Sequence, residues 1–323
     1  MSLIFRNGGG SYTGETFQTD TEILQNLRDW LQLAGWTIRD DFISGSKLLV
    51  MQGNATDNND TCFIEFRTED ITGELNAKEL KIRGDIDGGG STLSPEFNFK
   101  FINSSANIIY LTADDDSFAL YIESNDGVYN NGHFGFLNRL DPNTDTFGWM
   151  VGRIDWRVNN AYWAKSYHDG TNWRKVGDDF WYADAISSYA GRSSAPYQGL
   201  GDRYTTNFEF VYSSGNNWDD SSRSFTDSDN RNIGYYWFRG ALNPITGLPV
   251  LGTMYYLEGR GGADNYGSNA QGDYLPPPLY YRGEVKHCVI GLASLTVKTQ
   301  VIDKQGQRYL SVGDKEYQGM RIA

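Results

Sequence analysis

From residue 36 onward the apolar side chains recur at every second position in short runs, and clusters of Asp, Asn, Ser or Gly close the runs. Trp36-Thr-Ile-Arg, Lys47-Leu-Leu-Val-Met, Cys62-Phe-Ile-Glu-Phe-Arg and Leu80-Lys-Ile-Arg come first. Phe97-Asn-Phe-Lys-Phe-Ile, Ile108-Ile-Tyr-Leu-Thr-Ala and Phe118-Ala-Leu-Tyr-Ile follow. A period of two places alternate side chains on one face of a strand. Asp40-Asp41, Gly53-Asn54, Asn58-Asn59-Asp60 and Asn103-Ser-Ser are the breaks, residue types that turn the chain. No helices alternate with these runs, so the strands must pair antiparallel. The expected fold is mainly β, with antiparallel β-sandwich-like sheets.

One stretch departs from this period. Thr19 and Glu22 have the spacing of a capping box, and Ile23, Leu24, Leu27, Trp30, Leu31 and Ala34 fall on one helical face. Gly35 follows, the residue that takes a left-handed helix end without steric cost. An amphipathic helix is therefore expected over 20–34. Its Trp30 should be buried against the strands near Trp36 and Phe63.

The chain divides by texture into an N-terminal arm (1–18), a helix-plus-β domain (19–140), and an aromatic, loop-rich β region (141–323) that closes with strands. In the arm, Leu3, Ile4 and Phe5 precede Gly8-Gly9-Gly10. A sticky strand on a glycine hinge would make these three an assembly contact; a frayed terminus is the other reading. The middle is poor in Leu, Ile and Val but dense in Tyr, Trp, Asn, Asp, Ser and Gly. Asp155-Trp-Arg-Val, Phe208-Glu-Phe-Val-Tyr, Tyr235-Tyr-Trp-Phe-Arg and Met254-Tyr-Tyr-Leu-Glu read as its strands. Most of Trp149, Trp156, Trp163, Trp181, Trp218 and Trp237 are expected to fill its core; adaptable binding loops are the competing use of such aromatics. The tail reads as strands at 284–290, 295–302, 308–312 and 316–322. Gly313-Asp314 supplies a two-residue hairpin turn.

The chemistry-bearing residues are sparse. Three histidines (His133, His168, His287) and two cysteines (Cys62, Cys288) show no metal-ligand spacing, and both thiols are expected to be free and buried. Asp114-Asp115-Asp116 is the densest acidic run, expected as a solvated turn; calcium at this run or at Asp85 and Asp87 stays open. His168, in Tyr167-His-Asp-Gly, reads as a turn residue. There is no phosphate-binding glycine loop and no nucleophile elbow. The expectation is no catalytic residue, no cofactor and no metal site. With 28 basic and 41 acidic residues among 323, the net charge of −13 disfavours an extended nucleic-acid interface. No run of 18 apolar residues appears, so no membrane insertion is expected, and the first ten residues lack a signal-peptide pattern.

Three blocks carry a resemblance: Trp30-Leu-Gln-Leu-Ala-Gly-Trp-Thr; the pair Ile109-Tyr-Leu-Thr-Ala-Asp-Asp-Asp-Ser-Phe-Ala-Leu-Tyr-Ile and Gly127-Val-Tyr-Asn-Asn-Gly-His-Phe-Gly-Phe-Leu-Asn-Arg-Leu; and Arg308-Tyr-Leu-Ser-Val-Gly with Tyr317-Gln-Gly-Met-Arg-Ile-Ala. Over about the first 140 and last 45 residues the chain resembles virion structural proteins of tailed bacteriophages. That resemblance implies a non-enzymatic subunit of the tail, baseplate or neck, made in the host cytoplasm and assembled as a homo-oligomer with other virion proteins. A carbohydrate-binding β-sandwich that attaches to host surface glycans is the alternative, followed by a polysaccharide-degrading tail enzyme.

Overall fold

The computed structural model describes residues 4–6, 14–54, 61–85, 90, 93–94, 96–138, 149–152, 165–168, 173–175, 180–184, 224–226, 232–234, 245, 251–259, 279–290, 298–302, 306–312 and 318–323. Two short strands, β1 (Ile4–Arg6) and β2 (Glu15–Phe17), precede helix α1 (Asp20–Ala34). The helix begins and ends where its caps dictate. Thr19 has extended dihedrals (φ −128°, ψ 159°), and its hydroxyl accepts a hydrogen bond from the Glu22 amide at 3.1 Å. The Glu22 carboxylate reaches back one residue further than a standard capping box, to the Gln18 amide at 2.7 Å. Gly35, at φ 110°, closes the other end: its amide donates to the Gln32 carbonyl and that of Trp36 to the Leu31 carbonyl, a Schellman pattern.

A five-stranded meander follows: β3 (Thr37–Phe42), β4 (Leu48–Asn54), β5 (Thr61–Asp70), β6 (Ala77–Asp85) and β7 (Phe97–Ile102), each antiparallel to its neighbour. Period two sends Leu49, Met51, Ile64, Phe66, Leu80, Ile82, Phe97, Phe99 and Phe101 into one core. The other face carries ion pairs, among them Arg83–Glu65 at 2.7 Å and Arg67–Glu96 at 2.8 Å. All six residues of the helix stripe are buried. Trp30 is buried in the core as expected, and Trp36 joins it; Phe63 stands on the outer face, with the Arg39 guanidinium 5.6 Å from its ring centroid. Phe63 alternates with the inward-facing Cys62 and Ile64, so an inward Phe63 would require a one-residue slip of β5.

The second sheet is built on β8 (Asn107–Ala113), β9 (Ser117–Glu123), β10 (Tyr129–Phe136), β11 (Trp149–Gly152), β12 (Lys165–His168) and β13 (Trp173–Lys175) in that order, with β1 and β2 both paired to the outer edge of β8. Ile109, Leu111, Ala113, Phe118, Leu120, Ile122, Phe134 and Phe136 face the meander and complete the sandwich core. Phe118 stacks on Phe134 at 5.0 Å and meets Trp36 edge-on at 5.6 Å. Each such fully buried ring contributes about 1.5–3 kcal/mol through area removed from water.

On β8, β9 and β10 the alternate residues Tyr110, Thr112, Ala119, Tyr121, Asn131 and His133 are buried as well, because a further layer covers them. A third antiparallel sheet runs β14 (Phe180–Asp184), β17 (Gly252–Gly259), β18 (Leu279–Ile290), β21 (Gln318–Arg321), β20 (Arg308–Ser311), β19 (Gln300–Ile302). A separate hairpin joins β15 (Ser224–Thr226) and β16 (Asn232–Gly234). Across the seam between the second and third sheets, the Thr112 hydroxyl donates to the Arg321 carbonyl, and the Asn131 amide to that of Val312 at 3.0 Å. The sequence pattern marks strands over β18, β20 and β21, and of its 295–302 strand the described part is β19 (Gln300–Ile302); it marks none over β10, Tyr-Asn-Asn-Gly-His-Phe-Gly-Phe.

Trp149 and Trp181 fall on β11 and β14, whereas Trp156, Trp163, Trp218, Trp237 and the Gly313-Asp314 turn lie outside the described residues. So do the expected strands at 155–158, 208–212 and 235–239. Met254–Glu258 lies within β17. His168 ends strand β12, opposite Trp173, instead of sitting within a turn. No described helix is long and apolar enough to cross a membrane.

Candidate functional site: a buried carboxylate, lysine and histidine cluster

The turn between β8 and β9 is Asp114-Asp115-Asp116, and it is not solvated. Asp114 and Asp116 are 2% and 3% exposed, which corrects the expectation of a surface turn. The physical reason is that three layers meet on it. From the meander side, Trp36 Nε1 donates to the Asp114 carbonyl at 2.6 Å, the Asn54 amide to the Asp115 carbonyl at 2.9 Å, and the Cys62 thiol lies 3.7 Å from the Asp116 carbonyl. From β10, the Phe136 amide donates to the Asp116 carbonyl at 3.0 Å. Inside the turn, Asp114 Oδ1 accepts from the Ser117 amide at 3.0 Å and the Ser117 hydroxyl at 2.8 Å, an Asx-type closure.

The third layer supplies the counter-charge. Ladder partners of β18 and β17 run Val289 opposite Thr253 and then Glu284 opposite Tyr255, so residues 285–288 bulge out opposite the single residue Met254. Such a bulge re-aims side chains. It brings Lys286 Nζ to 2.5 Å from Asp116 Oδ1 and 3.7 Å from Asp114 Oδ2, while His287, at φ 65°, places Nε2 3.1 Å from Ser117 Oγ and 3.7 Å from Asp114 Oδ2. Glu284 anchors the start of the bulge through a two-way backbone bridge to Asn138.

These groups divide the charge unevenly. Burial alone would raise Asp114, but His287 and Lys286 outweigh it and hold its carboxyl well below the ordinary range. Burial pushes Asp116 up to about 7, with Asp114 beside it adding to the rise and Lys286 opposing it. Burial likewise disfavours the Lys286 ammonium, yet the two carboxylates raise its pKa above that of a free lysine. His133, on the same face of β10 as Asn131, is fully buried with no hydrogen-bond partner at either ring nitrogen. Burial first, then the nearby His287 and Lys286, hold it well below the usual histidine value and therefore neutral.

Three consequences follow for chemistry. The ligand atoms of Asp114, Asp115 and Asp116 lie within 4.8 Å of one another, a spacing a divalent ion could use, but the Lys286 ammonium already occupies the cationic position beside two of them. Ser117, His287 and Asp114 are adjacent: the Ser117 hydroxyl lies 2.8 Å from Asp114 Oδ1, and His287 Nε2 lies 3.1 Å from Ser117 Oγ. The cluster links β18 of the third sheet to the β8–β9 turn of the second.

Of the residues singled out from sequence, Asp114 and Asp116 enter this cluster. Asp85 is buried elsewhere, with one carboxylate oxygen accepting from the Gly90 amide at 2.8 Å, and Asp87 lies outside the described residues. Cys62 and Cys288 are both free and buried, and burial raises both thiol pKa values. Of the assembly-contact residues, Leu3 lies outside the described residues, whereas Ile4 and Phe5 pair through their backbone with Ala113 and Thr112 of the same chain. Sequence reasoning missed Ser117, His133, Lys286 and His287. The Asp-x-x-Ser spacing was a readable signal for Ser117; nothing local marks the other three. The chain matches no protein-family model and no curated protein.

Proposed function

We propose that this chain is a non-enzymatic structural subunit of a tailed-bacteriophage particle, present in repeated copies in the tail, baseplate or neck. The observation that carries this reading is the position of β1, the terminal strand of the eight-stranded sheet, paired on one side with β8 and joined onward through a glycine-rich segment. A strand at the end of a sheet offers its outer row of amides and carbonyls to a neighbouring chain. The resemblance of the first 140 and last 45 residues to virion proteins supports the same reading. So does the buried cluster, whose polar groups join layers. The net charge of −13 keeps free subunits apart until contacts form.

The test is the composition of purified particles. Peptide mass spectrometry should find the chain in them at a fixed copy number, and antibody labelling should place it at the tail, baseplate or neck. A chain recovered only from lysate and never from purified particles overturns the reading.

A further inference from the structure

We propose that copies of this chain exchange strand β1, each laying residues 4–6 along β8 of a neighbour in the register used within one chain. This rests on the reading of the protein as a subunit that meets other copies of itself. β1 and β2 occupy the same edge of β8, end to end: Arg6 lies opposite Leu111 and Glu15 opposite Ile109, so a single β8 residue, Tyr110, separates them. The chain nevertheless places eight residues, 7–14, between the two strands, four of them glycine. Eight residues span at most about 26–29 Å when extended, far more than one ladder position requires. The link between β1 and the rest of the chain is therefore long enough to carry β1 across to an adjacent subunit.

The partner is a second copy because only a second copy offers the same edge. Backbone pairing forms the β1 ladder, and β8 of a neighbour presents identical groups at Ala113, Thr112 and Leu111. Exchange therefore replaces each hydrogen bond with its equivalent, the low-cost route to association that swapped elements use. Beyond the link the chain is anchored. Phe17 is fully buried and meets Phe101 edge-on at 5.4 Å, and the capped helix follows at once. The exchanged unit thus stops before β2. In a free subunit the link holds β1 near its own β8 at an effective concentration of order millimolar; in contact with other copies, a neighbour's edge competes on equal terms.

The experiment uses the full chain with single substitutions. Ile4 and Ala113 are directly opposed, and antiparallel partners are close enough for a disulfide. Chains carrying Ile4→Cys are co-expressed with chains carrying Ala113→Cys, concentrated, oxidised and run on a non-reducing gel. Exchange predicts a reducible band at twice the 36.4 kDa subunit mass that is missing from either variant alone. The double variant Ile4→Cys/Ala113→Cys reports on the register itself. Intrachain bridging in the double variant with no mixed dimer overturns exchange. Failure of both to bridge overturns it too, because β1 is then not held on β8 of any copy. A mixed dimer in protein that never enters particles leaves exchange standing and removes the phage reading.

Discussion

Lys286 and Asp116 lie 170 positions apart in the chain and 2.5 Å apart in the fold. The same ammonium is 3.7 Å from Asp114, so one cation serves two buried carboxylates at the seam between the second and third sheets. Truncating it leaves the ionised Asp114 buried without that cation and drives Asp116 to keep its proton. Lys286→Met should cost about 3–5 kcal/mol, the range for removing one partner of a buried ion pair. Urea titration at neutral pH measures this; a loss under about 1 kcal/mol would show that the seam is held by other contacts.

Acid stability should expose two opposing protonations. Asp116 binds its proton up to about pH 7 when folded, against about 3.9 when unfolded. Between those values the folded state holds a proton the unfolded state has lost, so this group makes stability fall as pH rises. His133, held below 6.5, acts in reverse: beneath that pH the unfolded chain takes up a proton the folded one refuses, so its contribution makes stability fall as pH falls. The two slopes offset each other over about pH 4–6.5. Asp116→Asn removes the first, so its stability should drop more steeply than wild type on acidification, by up to about 1.4 kcal/mol per pH unit. Parallel pH profiles for the two proteins would refute this assignment.

Gly135 sits at φ 109° opposite Ser117, and a Cβ there would fall 2.3 Å from the Asp116 carbonyl oxygen and 2.7 Å from Ser117 Cα. Both obstacles are backbone, so neither can swing aside. Gly135→Ala should therefore lose about 2–5 kcal/mol from left-handed strain plus overpacking. A melting temperature equal to wild type would mean that the turn is not pressed against β10.

Trp30 is 6% exposed on the buried stripe of α1. Trp30→Ala opens a cavity beneath the helix and should cost about 3–5 kcal/mol. A loss near zero in denaturant titration would place the helix away from the sandwich.

Calcium should leave the melting temperature unchanged at millimolar concentration, because the Lys286 ammonium already neutralises the site between Asp114 and Asp116. A saturable rise in stability on adding calcium would show that the ion displaces the lysine.

Local patterns determined a large part of this molecule. The helix was legible at both ends because Thr19, Glu22 and Gly35 act within one turn of the residues they cap, and its buried face because 3.6-residue spacing admits one stripe. The meander was legible for the same kind of reason: alternation along Leu49–Met51, Ile64–Phe66 and Leu80–Ile82 fixes which face is dry. Alternation also failed where both faces are covered. β10 presents Asn131, His133 and Gly135 to one layer and Phe134 and Phe136 to the other, and its polar, glycine-rich text carries no apolar alternation to mark it as a strand. Only the third layer makes those small and polar side chains interior. The acidic run shows the same limit. Three adjacent aspartates are solvated by default, and here two are buried because a bulge in β18, closing a loop of 170 residues, delivers Lys286. Neither the bulge nor its register has a local signature. Caps, turns and alternation act over a few residues and belong to the sequence; the charge state of Asp114 and Asp116, the neutrality of His133 and the seam they hold depend on distance in space, which only the packed layers decide.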